Sequence, residues 1–334
     1  MTIREMTEER EKAYLSEYAC LSTATRGREV PEAECDIRPV FQRDRDRILH
    51  SKSFRRLEHK TQVFLSPQGD HYRNRLTHTL EVSQVARTIT QALRLNESLA
   101  EAIAMGHDLG HTPFGHAGER VLNQLHPEGF VHSEQSVRVV ELLEKKGKGL
   151  NLTWEVRDGI LNHRTAGHPS TLEGRVVQLS DKIAYINHDI DDAERAGILP
   201  QGIPREYTDV LGTTIRERLN TMIHDIVTHS KDQPRICMSE EIEAAMQGIR
   251  RFMFENIYTH SAAKAEEGKA EHVIAELYNF YLNHPEKMPL EYLELTEQRN
   301  EPLSRAVCDF ISGMTDQYAM ARYYEIFVPK FWQQ

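Results

Sequence analysis

Cysteine is scarce. Four residues, Cys20, Cys35, Cys237 and Cys308, stand far apart in a chain of 334, with no C-x-x-C pair among them. This excludes a thiolate zinc site and a disulfide frame, and it predicts inert thiols in a reducing cytoplasm. Long apolar runs are missing too: nothing approaches the roughly 18 consecutive apolar residues that a membrane span needs. The stretch from Met1 to Tyr18 is charged and lacks an apolar signal core, which argues against export and for a cytoplasmic location. β-Branched alternation is nearly absent, so the expected fold class is all-α. There is no internal repeat, low-complexity segment, helix-turn-helix, aromatic stacking motif or zinc finger. Positive charge is in deficit as well. A formal net charge of -10 excludes a protein that coats nucleic acid everywhere, and an anionic ligand would need a local basic pocket or a metal.

Histidine is abundant, with 17 residues, many of them between His50 and His188. The densest stretch is His107-Asp108-Leu109-Gly110-His111-Thr112-Pro113-Phe114-Gly115-His116-Ala117-Gly118-Glu119. The run from Glu97 to Met105 before it predicts a helix with Leu99, Ala102, Ile103 and Met105 on its apolar face. Gly110 and Pro113 end that helix, which places His107 and Asp108 at its C-terminal end and His111 and His116 on a tight loop. One imidazole and one carboxylate from adjacent positions suit a divalent cation such as Mn, Fe, Ni or Mg.

Around this stretch the chain reads as helices. Arg73 to about Leu95 predicts a long helix with a buried stripe of Leu76, Leu80, Val82, Val85, Ile89, Ala92 and Leu93, and with His78 in its first turns. Phe130 to Lys145, with His132, predicts another helix, and Glu155 to Asn162 a short one ended by His163. Over Glu173 to Arg195, Asp181, Tyr185 and Asp189 recur at i, i+4 and i+8 with Lys182 beside them, a polar stripe on one helical face. Helices are also expected over 210–227, 239–258, 271–282 and 303–326. The segment 41–64 is dense in charge, with Arg43, Arg45, Arg47, Lys52, Arg55, Arg56 and Lys60 against Asp44, Asp46 and Glu58. It predicts either a solvated helix laced with internal salt bridges or a surface facing phosphates.

The order His78 … His107-Asp108 … Asp181 resembles the metal-ligand signature of the HD-domain superfamily of metal-dependent phosphohydrolases. The context is narrower. Arg75-Leu-Thr-His78, the 107–119 stretch, Asp181-Lys182-Ile-Ala-Tyr185-Ile-Asn-His-Asp189, and the segment from Phe54 through Gln62 to Phe64 resemble the short branch of the deoxyguanosine triphosphate triphosphohydrolase family. The resemblance covers nearly the whole chain from about residue 35. It implies a division into an N-terminal arm (1–40), an HD phosphohydrolase domain (41–200) and an associated C-terminal helical domain (201–334).

The resemblance further implies that His78, His107, Asp108 and Asp181 hold one divalent metal (Mn, Mg, Fe or Ni). It gives His116 the catalytic place with Glu119 orienting it, and puts His111 and His132 on phosphate oxygens. Arg75 and Lys182 would neutralise triphosphate charge, while Gln62, Tyr185 and Asp189 would contact the deoxyribose. The implied reaction splits a dNTP into a deoxynucleoside and tripolyphosphate. The implied partners are a dNTP substrate, a second dNTP as effector, other copies of the chain and, as a side activity, single-stranded DNA. The long, strictly dGTP-specific members carry an insertion with no counterpart here and another residue at the position of His111. His111 and His132 are instead similar to those of the vertebrate HD-domain deoxynucleotide triphosphohydrolase, which accepts several bases. A competing expectation is an HD 5′-nucleotidase or cyclic-nucleotide phosphodiesterase, in which His111, His132 and His163 complete a two-metal site. A third is a nucleotide- or strand-binding regulator acting through the Arg43–Lys60 run.

Overall fold

The computed structural model describes residues 1–62, 73–195, 197, 199, 202–258 and 261–330. Within them the chain is all-α: sixteen α-helices, with short 3-10 and π turns between and only isolated β-bridges. Val63 and Phe64, and the loop expected over 66–71, lie outside the described residues.

Helix α1 (Ile3–Tyr14) opens on a capping box, in which Thr2 and Glu5 satisfy each other's backbone N–H groups. An irregular stretch leads to α2 (Val40–Leu49) and α3 (Lys52–Arg56). The middle of the chain supplies α4 (Arg75–Leu93), α5 (Glu97–Gly106), α6 (Gly115–Leu125), α7 (His132–Arg138), α8 (Trp154–Leu161) and α9 (Leu172–Arg195). Then follow α10 (Arg205–Leu211), α11 (Ile215–Ser230), α12 (Glu240–Met253), α13 (Ser261–Asn283), α14 (Leu290–Arg299), α15 (Leu303–Ser312) and α16 (Asp316–Phe327).

Two apolar cores organise these helices. The larger joins α2, α4, α5, α8 and α9 through residues such as Phe41, Ile48, Ile89, Leu99, Ile103, Ile160, Val176 and Ile183. Leu211, Met222, Ile226, Ile242 and Ile249 bring α10 to α12 into the same core. The smaller core is built by α13, α15 and α16 around Ile274, Leu277, Tyr281, Val307 and Ile311, and it takes in Phe114, Val121, Leu122 and Phe130 from the middle of the chain. The chain's second half therefore packs directly behind the histidine-rich loop.

Several boundaries depart from the periodicity. His116 does not sit on a loop: α6 begins at Gly115, so His116 is in its first turn. The helix expected over 210–227 is broken at Gly212, whose φ of 108° suits only glycine, and restarts at Thr214 in a Thr-x-x-Glu capping box. The helix expected over 303–326 breaks at Gly313 and restarts behind the N-cap Thr315. The apolar spacing continues through both breaks, so periodicity by itself hides them. Helix α13 starts ten residues before the expected 271, and α14 follows Pro289 where no helix was expected.

The charged run 41–64 is largely ion-paired, mostly with residues outside it. Arg28 binds Asp44; Arg38 and Arg45 bind Asp46; Arg47 binds Glu32 and the carbonyls of Leu150 and Asn151. Lys60 points inward and is 2% exposed. Salt bridges hold much of this segment, but they run to neighbouring segments more than within the helix, where they were expected.

Candidate metal centre and active site

Three helix segments converge on a small polar volume. His78 comes from the first turn of α4, whose start is set by Asn74 and Thr77 capping each other. His107 caps the C-terminus of α5, with Asp108 next to it. Asp181 comes from the middle of α9, where Val176, Leu179 and Ile183 bury the opposite side. His78, His107 and Asp108 are buried, and each offers an atom within 4.8 Å of the others. Asp181 Oδ1 lies 3.1 Å from His78 Nε2 and 3.8 Å from His107 Nε2, and Asp108 Oδ1 lies 3.5 Å from His107 Nε2. Burial pushes both carboxyls upward, but the neighbouring charges outweigh it. Asp181 is held at about 2, first by its hydrogen bond with His78, and Asp108 well below its usual range, with the Arg75 guanidinium paired to it at 2.7 Å.

The tautomers make this cluster fit a cation. His107 Nδ1 donates to the Ala104 carbonyl at 2.6 Å, so its Nε2 carries a lone pair; that atom is buried and has no hydrogen-bond partner. Behind His78, the Glu81 carboxylate accepts from His188 Nε2, which leaves His188 Nδ1 to accept from His78 Nδ1 at 3.5 Å. His78 Nε2, 3.1 Å from Asp181 Oδ1, can then give its lone pair to a cation in place of its hydrogen bond to that carboxylate. Two imidazole lone pairs and two carboxylates facing one another form an acceptor-only set, which a divalent cation satisfies. No thiol is among them, in keeping with a borderline or hard metal.

A second set lies alongside. His111 follows Asp108 on the loop, its Nε2 3.4 Å from Asp108 Oδ1. It stacks on His132 at 3.9 Å between ring centroids. His132 Nδ1 donates to Glu119 Oε1 at 2.8 Å, and His116 Nδ1 to Glu119 Oε2 at 3.1 Å. One carboxylate thus orients two imidazoles. Burial raises Glu119, but hydrogen bonds from His116 and His132 dominate and hold it ionised far below the usual carboxylate range. The His116 side chain is 65% exposed, so its Nε2 faces open space. His111 itself is fully buried; desolvation, with Arg75 and His132 nearby, drives its pKa well below the usual histidine value and keeps it neutral. His163, behind His132, is pushed to about 3, first by burial and then by His107 and His132. His163 Nδ1 donates to the Ile160 carbonyl, and its Nε2 lies 3.2 Å from His132 Nε2.

Gly110 holds the two sets in register. A Cβ there would lie 2.2 Å from the Ser136 backbone nitrogen of α7. Its N–H donates to Ser136 Oγ, which in turn donates to the His107 carbonyl. Only glycine permits that approach between the loop carrying His107 and the helix carrying His132.

The remaining expected residues are placed less uniformly. Arg75 is buried and pairs with Asp108 at 2.7 Å, so its guanidinium bears on a carboxylate of the cluster. Gln62 is buried with its Oε1 unpartnered. Along α9, Tyr185 and Asp189 follow Asp181, and burial raises both, Asp189 also through Asp192 and Asp181. Lys182 is half-buried, its pKa lowered by burial and then by Arg175 and Arg250. Sequence reasoning did not single out Glu81, His188, Lys60 or Asp316. Glu81 and His188 were within reach of spacing arguments: Glu81 is one turn beyond His78 on α4, and His188 lies two turns beyond Asp181 on α9.

Family comparison agrees with this architecture. The HD-domain model matches residues 75–186, and the phosphohydrolase-associated domain matches residues 236–325. A phosphohydrolase from Bacteroides thetaiotaomicron shares the fold at a TM-score of 0.54, with 18% identity over 84% of this chain and 67% of the other. An uncharacterised Aquifex aeolicus protein does so at 0.51, with 19% identity over 86% and 68%. The fold and models define an HD-domain hydrolase of the phosphohydrolase class. A deoxyguanosinetriphosphate triphosphohydrolase-like protein from Caldanaerobacter subterraneus subsp. tengcongensis is 59% identical over 99% of this chain and 98% of its own. One from Desulfatibacillum aliphaticivorans is 49% identical over 98% and 99%. The chain belongs to the deoxyguanosinetriphosphate triphosphohydrolase-like family. No helix among the described residues is long and apolar enough to cross a membrane.

Proposed function

We propose that the protein is a metal-dependent dNTP triphosphohydrolase, acting on dGTP and other deoxynucleoside triphosphates and releasing a deoxynucleoside and tripolyphosphate. The observation that carries this reading is the acceptor-only cluster of His78, His107, Asp108 and Asp181 lying directly beside the His116–Glu119–His132 chain. Those four residues would hold Mn, Mg, Fe or Ni, and the cation would supply Lewis acidity toward a phosphoryl oxygen.

The chain's own groups do the rest. Water oxygen bonds to the α-phosphorus as the bond to the 5′ oxygen breaks, and the proton that water sheds passes to solvent, which reprotonates His116 for the next turnover. The departing alkoxide needs a proton, and His116 Nε2 supplies it while Glu119, on Nδ1, stabilises the imidazolium and fixes its orientation. Neutral His111 and the Glu119-bound His132 line the phosphate path as donors, and Arg75 and Lys182 offset triphosphate charge. Tyr185 packs on the deoxyribose, leaving no room for a 2′ hydroxyl, and Asp189 and Gln62 take the sugar's polar groups. The test is to incubate the metal-loaded protein with each dNTP, singly and mixed, and identify the phosphate product. Intact tripolyphosphate is expected; orthophosphate or pyrophosphate would sink the reading.

One observation favours a second reading. Asp108, His111 and His132 form another trio within 4.8 Å, and the Nε2 atoms of His132 and His163 face each other at 3.2 Å. A two-metal phosphodiesterase or nucleotidase would use this arrangement. Two metal equivalents per chain, with turnover of monophosphates or cyclic dinucleotides, would favour it.

A further inference from the structure

The loop that carries His111 and delivers His116 is anchored from the far end of the chain. Asp316, at the start of α16, accepts from the Phe114 N–H through Oδ1 at 2.9 Å. Its other oxygen accepts from the Thr61 N–H at 2.8 Å and the Thr61 hydroxyl at 2.5 Å. Beside it, the buried Lys60 ammonium donates to the carbonyls of His111 at 2.5 Å and Ser312 at 2.8 Å. The loop 111–114 is thus tied at both ends to the turn between α15 and α16. Both anchors also run through Lys60-Thr61, the residues just before Gln62.

The backbone at the anchored point needs holding. Phe114 sits in the left-handed region at φ 60°, an arrangement that is strained for a non-glycine residue. Gly115 follows at φ 56°, with Arg75 Nη2 and the Gln62 carbonyl each 3.3 Å from where a Cβ would stand. These two residues turn the chain into α6, and the next residue is His116. The Phe114 ring enters the smaller core, so ring and N–H are both fixed by the chain's second half.

We propose that Asp316 is a positioning residue for the active site: its carboxylate clamps Phe114 and Thr61 together, and so sets the placement of His116 on one side and Gln62 on the other. The Asp316 carboxylate is hydrogen-bonded to Thr61 and Phe114 and to none of the four candidate metal ligands. The inference rests on the triphosphohydrolase reading for its kinetic consequence, and on the hydrogen bonds alone for its structural one.

The test compares D316A, D316N and H116A with R322A, a control elsewhere on α16 that loses its contacts to Tyr281 and Glu325. Dispersal of a near-attack geometry by about 1 Å lowers turnover roughly 10²-fold. Mn-loaded full-length D316A should therefore hydrolyse dGTP with kcat about 10²-fold lower, with bound metal unchanged. Amide exchange of the 111–116 peptide should accelerate. D316N, which retains one accepting oxygen, should fall between D316A and wild type. R322A should keep both turnover and loop protection. The proposal is overturned if D316A leaves 111–116 exchange at the wild-type rate, or if R322A reproduces both effects. It is overturned too if D316A turns over within twofold of wild type while H116A is dead. If H116A itself keeps wild-type turnover, the role of His116 falls, and the exchange rates still decide the clamp.

Discussion

The inner and outer halves of the site are built differently. His78, His107, Asp108 and Asp181 project from α4, α5 and α9, three helices sharing the larger core, and His78 and His107 are tied from behind by Glu81–His188 and by the Ala104 carbonyl. His111, His116 and Glu119 ride on a loop and the first turns of α6, whose apolar face belongs to the smaller core. The inner set is a product of helix packing within one region. The outer set is a product of two regions meeting, with Asp316 and Lys60 at the junction. The candidate ligand cluster and the proposed proton donor are thereby adjacent yet rest on different cores, an independence bridged by the short loop from Asp108 to His111.

That independence can be broken from either side. The largest effect belongs to the inner set: H107A or D181A should abolish bound metal and turnover together, measured by elemental analysis and dGTP hydrolysis. Normal metal content in either variant would remove the cluster's assignment. Next, H116A should retain the metal and lose turnover by about 10²–10⁴, the usual contribution of a positioned acid. Wild-type turnover there would refute the division of labour.

Smaller effects sharpen the comparison. H188L removes the acceptor behind His78 without touching the four candidate ligands. Loss of such an outer partner should weaken metal affinity about 10–100-fold in competition with a chelator, while turnover at saturating metal stays close to wild type. Unchanged affinity would mean that His78 is oriented by packing alone.

The smallest effect is on stability. Glu119 is held ionised by its histidines, so its folded pKa lies below the unfolded glutamate value of 4.5. The stabilisation is therefore complete above pH 4.5 and is lost as pH falls below it. E119Q should cost about 2 kcal/mol near neutrality, the size of a hydrogen bond to a charged group, and its deficit against wild type should shrink below pH 4.5. A deficit constant from pH 7 to pH 4 would place the effect in shape and not in charge.

How much of this was legible beforehand varies by residue. His78, His107-Asp108 and Asp181 could be picked out because their spacing along helices and their motif context are linear properties. The all-α class followed from period and from missing strand signals. The breaks at Gly212 and Gly313 were not legible from period, since the apolar stripe runs on while capping residues stop the helix. Lys60 read as one more cation in a charged run, yet it is buried against two carbonyls, with burial and the nearby Arg56 and Arg75 holding its pKa far below the ordinary lysine value. Arg75 read as a phosphate contact and is found on Asp108.

The sequence by itself determined which residue types stand at helical spacing, and hence the helices, the polar stripe of α9 and the identity of the candidate ligands. Tertiary structure alone decided which lone pairs face one another, because tautomers follow from partners such as Ala104, Glu81 and Glu119 brought in from other turns and helices. It alone decided that Asp316, 202 residues beyond Phe114, shares a hydrogen bond with it. A helix propagates through contacts three and four residues apart, and these patterns are written in the local sequence. A hydrogen bond across 202 residues exists only once both cores have formed and brought its ends together.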